Sequence, residues 1–470
     1  MNVSSLAFRE HAAEAIHNPN LQSALAKIKP GWVAGRARAA ERLPEFEALR
    51  DQGRDIKNHA LENLDLYLEA FEAKVLERGG KVHWARDAAE ARQIVLEICK
   101  ARGARTVTKS KSMITEEIGL NDWLEANGVT PVETDLGEYI LQIAHQPPSH
   151  LVGPVVHMTK DEISDLFLEH HGGPRLEEPA AMVAQARAIL RQKYLAADIG
   201  ITGANFLVAE TGSAITVTNE GNAELTQGLP RAHIAIASIE KCIPTMEDAF
   251  TLLRLLARSA TGQEFSAYTT VMTGPKRPGD LDGPDEFHVV LLDNGRTKML
   301  GTAFQEMLRC IRCGACMNHC PVYTAAGGHA YGWVYVGPMG SVLTPQFVGI
   351  ENAYPLPNAS TFCGKCQEVC PVRIPLPKLM RFWREEQFKK QLTPPTARYG
   401  LDVWGFFARR PWLYRRATGL AVRALRMLAG GKGRLASLPM GKGWTDTRDF
   451  PAPQGRTFMA EWRARGGRTA

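Results

Sequence analysis

The sequence predicts an α/β protein: a parallel sheet covered by helices, then a helical segment organised around cysteines, then a basic C-terminal segment. Three observations carry this. From about residue 57 to 300, short apolar strands alternate with amphipathic helices across short connections, the pattern of a parallel sheet. Seven of the nine cysteines lie between 310 and 370. Residues 381–470 hold 19 Lys+Arg and 6 Asp+Glu, a net of +13, whereas the first 380 residues carry −7. The domains expected are 1–56, a polar helical segment; 57–300, the α/β domain; 301–395, the cysteine domain; and 396–470, the basic segment.

The 470 residues, 44% hydrophobic and 23% charged, have the composition of a folded chain. Disorder as the main state is excluded. So is a polytopic membrane protein, because no run of about 18 apolar residues occurs. The N-terminus lacks a basic start followed by an apolar stretch, so the cytoplasm is the expected compartment. An odd cysteine count in such a chain argues for metal or redox chemistry over a disulfide framework.

The elements follow in order. The first segment is helical with a break at Pro30-Gly31. Residues 60–77 have helical spacing and stop at Gly79-Gly80. KVHWA at 81–85 is a strand. Asp87 and Glu90 predict a capping box for a helix ending at Gly103. RTVTKS is the next strand, and 115–128 is one helix closing at Gly128. TPVETD is a strand. Thr159 and Glu162 cap a helix through about His170, and an amphipathic helix covers about 178–196. ANFLVAE and SAITVT are strands joined through Glu210-Thr211-Gly212. HIAIAS has the unbroken apolar character of a strand buried on both faces. Thr245 starts a helix, and AYTTVMT and FHVVLLD close the domain. Beyond 300, Cys, Gly and Pro replace periodicity, and such a segment needs something inorganic to hold it together. No 20–50-residue repeat is evident along the chain.

Cys310, Cys313, Cys316 and Cys320 form C-x2-C-x2-C-x3-C followed by Pro321, the bacterial ferredoxin-type run. Three thiolates at this spacing wrap the corners of one cubane, loop amides point at the sulfurs, and the fourth Cys faces a different cluster. Cys363, Cys366 and Cys370, with Pro371, form a second group. Two cross-wired clusters are the natural reading. The first takes Cys310, Cys313, Cys316 and Cys370; the second takes Cys320, Cys363 and Cys366. Ser360 stands where a symmetric second motif would have another Cys. The second cluster is therefore a [4Fe–4S] with a non-cysteine or external fourth ligand, or a [3Fe–4S]. Structural zinc typically shows paired C-x2-C knuckles and four ligands, a poor fit here. A radical-SAM triplet would need Cys at 323, which is Tyr323. Cys99 and Cys242 read as core residues. Two adjacent clusters imply single-electron transfer between a donor and an acceptor.

The chain resembles the lactate utilization protein B family over nearly its whole length. The resemblance is carried by KSKSMITEEIGLN (109–121), ETDLGEYILQ (133–142), PSHLVGPVVH (148–157), AETGSAITVTNEGN (209–222) and HIAIASIEKCIPTMED (233–248), which match a lactate-utilization (LUD) domain. It is also carried by the cysteine region with GGHAYGWVYVGPMGSVLTP (327–345), and by GWTDTRDFPAP (443–453). The resemblance implies a NagB/RpiA/CoA-transferase-like fold for the LUD domain and two [4Fe–4S] clusters with the ligand sets above. It also implies an electron-carrier role while L-lactate becomes pyruvate, with two companion subunits.

Other motifs are weaker. Neither G-x-G-x-x-G between strand and helix nor a P-loop occurs, so a nicotinamide or nucleotide site is unsupported. Lys109, Ser110, Lys111 and Ser112 sit at a strand-to-helix junction suited to an anion, or form a solvated turn. Glu210, Asn219, Glu220, Asn222, Glu240 and Lys241 lie at strand ends, where α/β sheets bind ligands, though turn chemistry explains them equally well. His145, His150 and His157 have no metal spacing. Between Trp412 and Leu428, Arg415, Arg416, Arg423 and Arg426 share one helical face, with Leu413, Leu420, Ala424, Met427 and Leu428 opposite. Such a helix suits an anionic membrane surface and delivery to a quinone pool, or packing against protein. No nucleic-acid motif accompanies it, so nucleic acid is not an expected partner. Three functions remain: an electron-transfer subunit of a lactate-oxidising assembly; an enzyme whose LUD domain acts on its own substrate with the clusters as auxiliary centres; and a scaffold with structural clusters. Catalytic residues are not assigned.

Overall fold

The computed structural model describes residues 3–110, 112–438, 441–446 and 448–466, and divides into two compact units, Met1–Lys390 and Gln391–Ala470. The first unit contains the strands β1 Lys81–Ala85, β2 Thr106–Lys109, β3 Thr130–Glu133, β4 Ile199–Gly203, β5 Phe206–Val208, β6 Ser213–Thr218, β7 Ala232–Ser238, β8 Cys242–Ile243, β9 Tyr268–Met272 and β10 Glu286–Leu292. Six make one parallel sheet in the order β1-β10-β7-β4-β2-β3. The α/β architecture read from the alternation is therefore present. A second sheet, β8-β5-β6-β9, is mostly antiparallel.

Strand alternation sorts the core. On β7, Ile234 and Ile236 face one apolar cluster with Val95, Leu96 and Cys99, while Ala235 and Ala237 face another with Phe71, Val75 and Cys242. Successive strand side chains point to opposite faces, so helices must cover both. Cys99 and Cys242 are both fully buried.

Several boundaries differ from the sequence reading, each for a local reason. The chain does not break at Pro30-Gly31; it passes through a wide π-helical turn, Lys29–Val33, into the helix Ala34–Glu41. The helix expected over 115–128 is two, Met113–Glu117 and Leu120–Ala126, parted by Gly119 at φ 61. The Asp87 side chain accepts from Glu90 N as expected, but the Glu90 carboxylate accepts from Arg86 N, so the box is half made. Thr159 and Glu162 form the full box.

Residues 301–390 fold as short helices laid against the N-terminal helices and the α/β domain. Arg50 donates to Cys370 O at 2.8 Å, Tyr323 Oη donates to Ser149 O at 2.7 Å, and Asn318 Nδ2 donates to Ala260 O at 3.2 Å. Gly328 permits the closest of these approaches: a Cβ there would stand 1.8 Å from Ser149 O. Among the described residues no helix is long and apolar enough to cross a membrane. The second unit contains the helices Pro395–Ala408 and Pro411–Ala429.

Candidate metal centre

The two cysteine segments, 310–321 and 360–371, take the same backbone course at an offset of fifty residues. Arg312 and Phe362 are both left-handed, at φ 60 and 55, and Gly314 and Gly364 follow at φ 74 and 81. Each glycine leads into a single helical turn, Ala315–Asn318 or Lys365–Glu368. Non-glycine residues rarely hold such angles without a purpose. Alternating left- and right-handed residues aim consecutive N–H groups into one concavity, which suits an anion. The amides behave accordingly: Ala315 and Lys365 donate to the sulfurs of Cys313 and Cys363. Ile374 N donates to Cys370 Sγ at 3.3 Å. The symmetric motif that Ser360 interrupts is thus a duplication of backbone as well as of spacing.

Cys310, Cys313, Cys316 and Cys370 line one cavity, walled otherwise by apolar residues such as Met307, Ile311, Met339 and Ile374. Burial, then Cys370 and Cys310 nearby, pushes the Cys313 thiol up to about 12. Burial with Cys310, Cys313, Cys366 and Cys370 raises Cys316 well above its ordinary range. Near the second loop, burial first, then Cys320 and Cys363, pushes the Cys366 thiol up to about 12. Cys320 and Cys366 are buried, whereas Cys363 is exposed.

These thiols fit an iron–sulfur group better than a single ion. Ionising four clustered thiols in an apolar cavity is unfavourable unless cationic iron neutralises them. Among the described residues no three His, Cys, Asp or Glu side chains converge closely enough to hold one metal ion, as zinc at about 2.3 Å from each sulfur would demand. A further sign is Tyr331, fully buried with a hydroxyl that has no partner among the described residues. Its neighbours include Cys320, Cys316 and Cys366. A buried O–H left unpaired costs about 1–3 kcal/mol, and a sulfide or thiolate acceptor beside it would remove that cost.

The sequence reading missed what backs the first loop. Arg296, 1% exposed, donates to Glu117 through Nη1 at 2.9 Å and Nη2 at 2.7 Å. Its Nε lies 2.9 Å from Glu240 Oε2. Arg312, between two loop cysteines, reaches Glu240 Oε1 at 3.5 Å and stacks 4.6 Å from the Tyr335 ring. Tyr335 Oη donates to Glu117 at 2.5 Å. Burial works against the Glu240 carboxylate, but Arg296 and Arg312 hold it down at about 2. This chain of charges runs from the end of β7 to the first cysteine loop. Its sequence signals were Glu240, read as a strand-end candidate, and Arg312 inside the cysteine run.

Several of the weaker candidates are taken up by local contacts. Lys109 is buried and engaged by Thr115, Glu116 and Glu133, so it is spent on its own domain; Lys111 lies outside the described residues. The Glu210 carboxylate accepts from Met246 N, Glu220 from Leu136 N, and Asn219 Oδ1 from Ala267 N. These are turn and cap contacts at separate places, and Glu240 belongs to the buried network. His157 contacts Ser149 and Gln146, and His150 contacts Asn318.

A family model for the LUD domain matches residues 68–292, one for a 4Fe-4S dicluster domain matches 306–374, and one for "Lactate utilisation protein B, C-terminal" matches 388–467. The chain is 42% identical to lactate utilization protein B of Anoxybacillus flavithermus, covering 99% of each. It is 43% identical to that of Geobacillus sp. WCH70, covering 98% of each, and 42% identical to that of Bacillus subtilis 168, covering 99% of this chain and 97% of that one. A solved DUF162 family protein from Deinococcus radiodurans is 15% identical, covers 49% of this chain and 98% of that one, and gives a TM-score of 0.26, too low to carry an argument.

Proposed function

The chain belongs to the lactate utilization protein B family, and on that premise we propose that it is the iron–sulfur electron-transfer subunit of an NAD-independent system oxidising L-lactate to pyruvate. The carrying observation is the pair of like-folded cysteine loops, four of whose thiols line one cavity. In this reading Cys310, Cys313, Cys316 and Cys370 hold one [4Fe–4S] cluster, and Cys320, Cys363 and Cys366 hold the second. When bound, such clusters accept and release electrons one at a time. L-Lactate gives up two electrons and two protons on becoming pyruvate, and two neighbouring one-electron centres match that demand. The chain's own residues hold the sulfurs, aim loop amides at them, and exclude water from the first site with apolar walls.

Two companion subunits supply the lactate chemistry. The purified chain alone is expected to give no L-lactate turnover with an artificial acceptor, and addition of both companions is expected to restore it. Robust turnover by the single chain would instead favour a catalytic LUD domain.

The basic segment supports a cytoplasmic protein that touches an anionic membrane surface on the way to a quinone pool. On the helix Pro411–Ala429, Leu420, Met427 and Leu428 are 65%, 76% and 64% exposed, and Arg415, Arg416, Arg423 and Arg426 are also exposed. Exposed apolar side chains beside arginines suit a headgroup interface. Arg423→Glu with Arg426→Glu is expected to lower co-sedimentation with phosphatidylglycerol vesicles at least about ten-fold, since each basic residue contributes about 1 kcal/mol. Unchanged sedimentation would remove the membrane from the scheme.

A further inference from the structure

The duplicated loops differ at one corner. Cys310 opens the first; Ser360 stands at the matching place in the second. The Ser360 hydroxyl is already engaged, accepting from Phe362 N at 3.1 Å within its own turn. A serine hydroxyl must also lose its proton to match a thiolate, which makes it a poor replacement. The face is open: Cys363 is exposed and Phe362 is 38% exposed.

A fixed cation stands beside this corner. Arg384 reaches over from the helix Leu376–Lys389. Its Nε donates to Pro357 O at 3.0 Å, its Nη2 donates to Ser360 O at 3.5 Å, and its guanidinium stacks 4.1 Å from the Phe362 ring. Three contacts fix this planar cation, one of them to the backbone carbonyl of the residue that replaces the cysteine. Lys365, the other nearby cation, is paired with Glu368 at 2.5 Å. A guanidinium held in this way is suited to a carboxylate.

We infer that the corner beside Ser360 is a binding site for a small carboxylate anion, which takes the coordination position left without a thiolate while Arg384 supplies the countercharge. The inference rests on the proposal that Cys320, Cys363 and Cys366 hold an iron–sulfur cluster. A chelating hydroxycarboxylate fits best, because a carboxylate and an adjacent hydroxyl offer two oxygens to one iron. The site is then an exchangeable one, unlike the four-thiolate first site.

The test uses the full chain prepared anaerobically, with iron counting and electron paramagnetic resonance of the dithionite-reduced protein, before and after addition of citrate or L-lactate. The expected result is a shifted signal from one cluster in the wild type and in Ser360→Ala, no shift in Ser360→Cys, and at least a ten-fold weaker response in Arg384→Met. With both clusters present, at about eight irons per chain, a wild-type spectrum unmoved by either anion overturns the inference and leaves the electron-transfer reading standing. A shift that persists in Ser360→Cys overturns it as well, by putting the anion elsewhere. Protein without iron–sulfur signals overturns both.

Discussion

The loops at 310–321 and 360–371 share a backbone, down to the left-handed residue before the second position and the left-handed glycine after it, yet they lie in different surroundings. The first closes over an apolar cavity and leans on the Arg312–Glu240–Arg296–Glu117 network. The second presents Cys363 and Phe362 to solvent and has Ser360 in place of a cysteine. Backbone course sets where sulfur can point; what packs behind it decides whether the site is sealed or open. A chain that needs one centre to keep its electrons from water and another to exchange them with a partner has reason to build both.

The largest effect expected from this contrast separates Cys370 from Cys363. Cys370→Ala should remove about four of about eight irons and lower the thermal midpoint by more than about 10 °C, since a cluster held by buried thiols would also organise the fold. Cys363→Ala should lose a similar amount of iron with a midpoint change below about 3 °C. Equal thermal losses would erase the distinction between sealed and open sites.

Next in size is the network behind the first loop. Arg296→Met leaves Glu117 and Glu240 buried without their main partner, and should cost about 3–5 kcal/mol in urea unfolding. A cost under about 1 kcal/mol would detach that network from the stability of the first site.

The smallest effect concerns Tyr331, which lies near cysteines of both groups. Tyr331→Phe removes a hydroxyl without a protein partner, so it should leave folding intact. Loss of a donor to sulfur destabilises the reduced state, and the midpoint potential of at least one cluster should fall by about 60 mV, one tenfold step for a single electron. Unchanged potentials in a redox titration would make the phenol a packing residue only.

Much of this was legible in the chain itself. The parallel sheet followed from strands such as KVHWA, whose bounds match β1, and HIAIAS, whose unbroken apolar run marked a strand buried on both faces. Cysteine spacing pointed to the two groups because most of the ligand geometry is local: Cys310, Cys313 and Cys316 lie within one loop, and Cys363 and Cys366 within the other. The buried ion network was not legible as a unit: Glu240 stood out only as a strand-end candidate, and Arg296 and Glu117, far from it in sequence, look like ordinary surface charges until the fold brings them together. Lys109 misled for the same reason: beside Ser110 and Ser112 it reads as half of an anion site, and only β3 delivers the Glu133 that claims it. The repeat of spacing was legible, with Ser360 in the place of Cys310; its backbone extent was not, because Arg312 and Phe362 share a conformation without sharing chemistry.

The most direct measurement is iron and sulfide analysis with electron paramagnetic resonance on the anaerobically purified, dithionite-reduced full chain. Two clusters predict about eight irons per chain and two reversible, spin-coupled signals. A colourless protein with zinc in place of iron, or iron that cannot be reduced, would contradict the assignment of Cys310, Cys313, Cys316 and Cys370, and of Cys320, Cys363 and Cys366, to paired electron carriers.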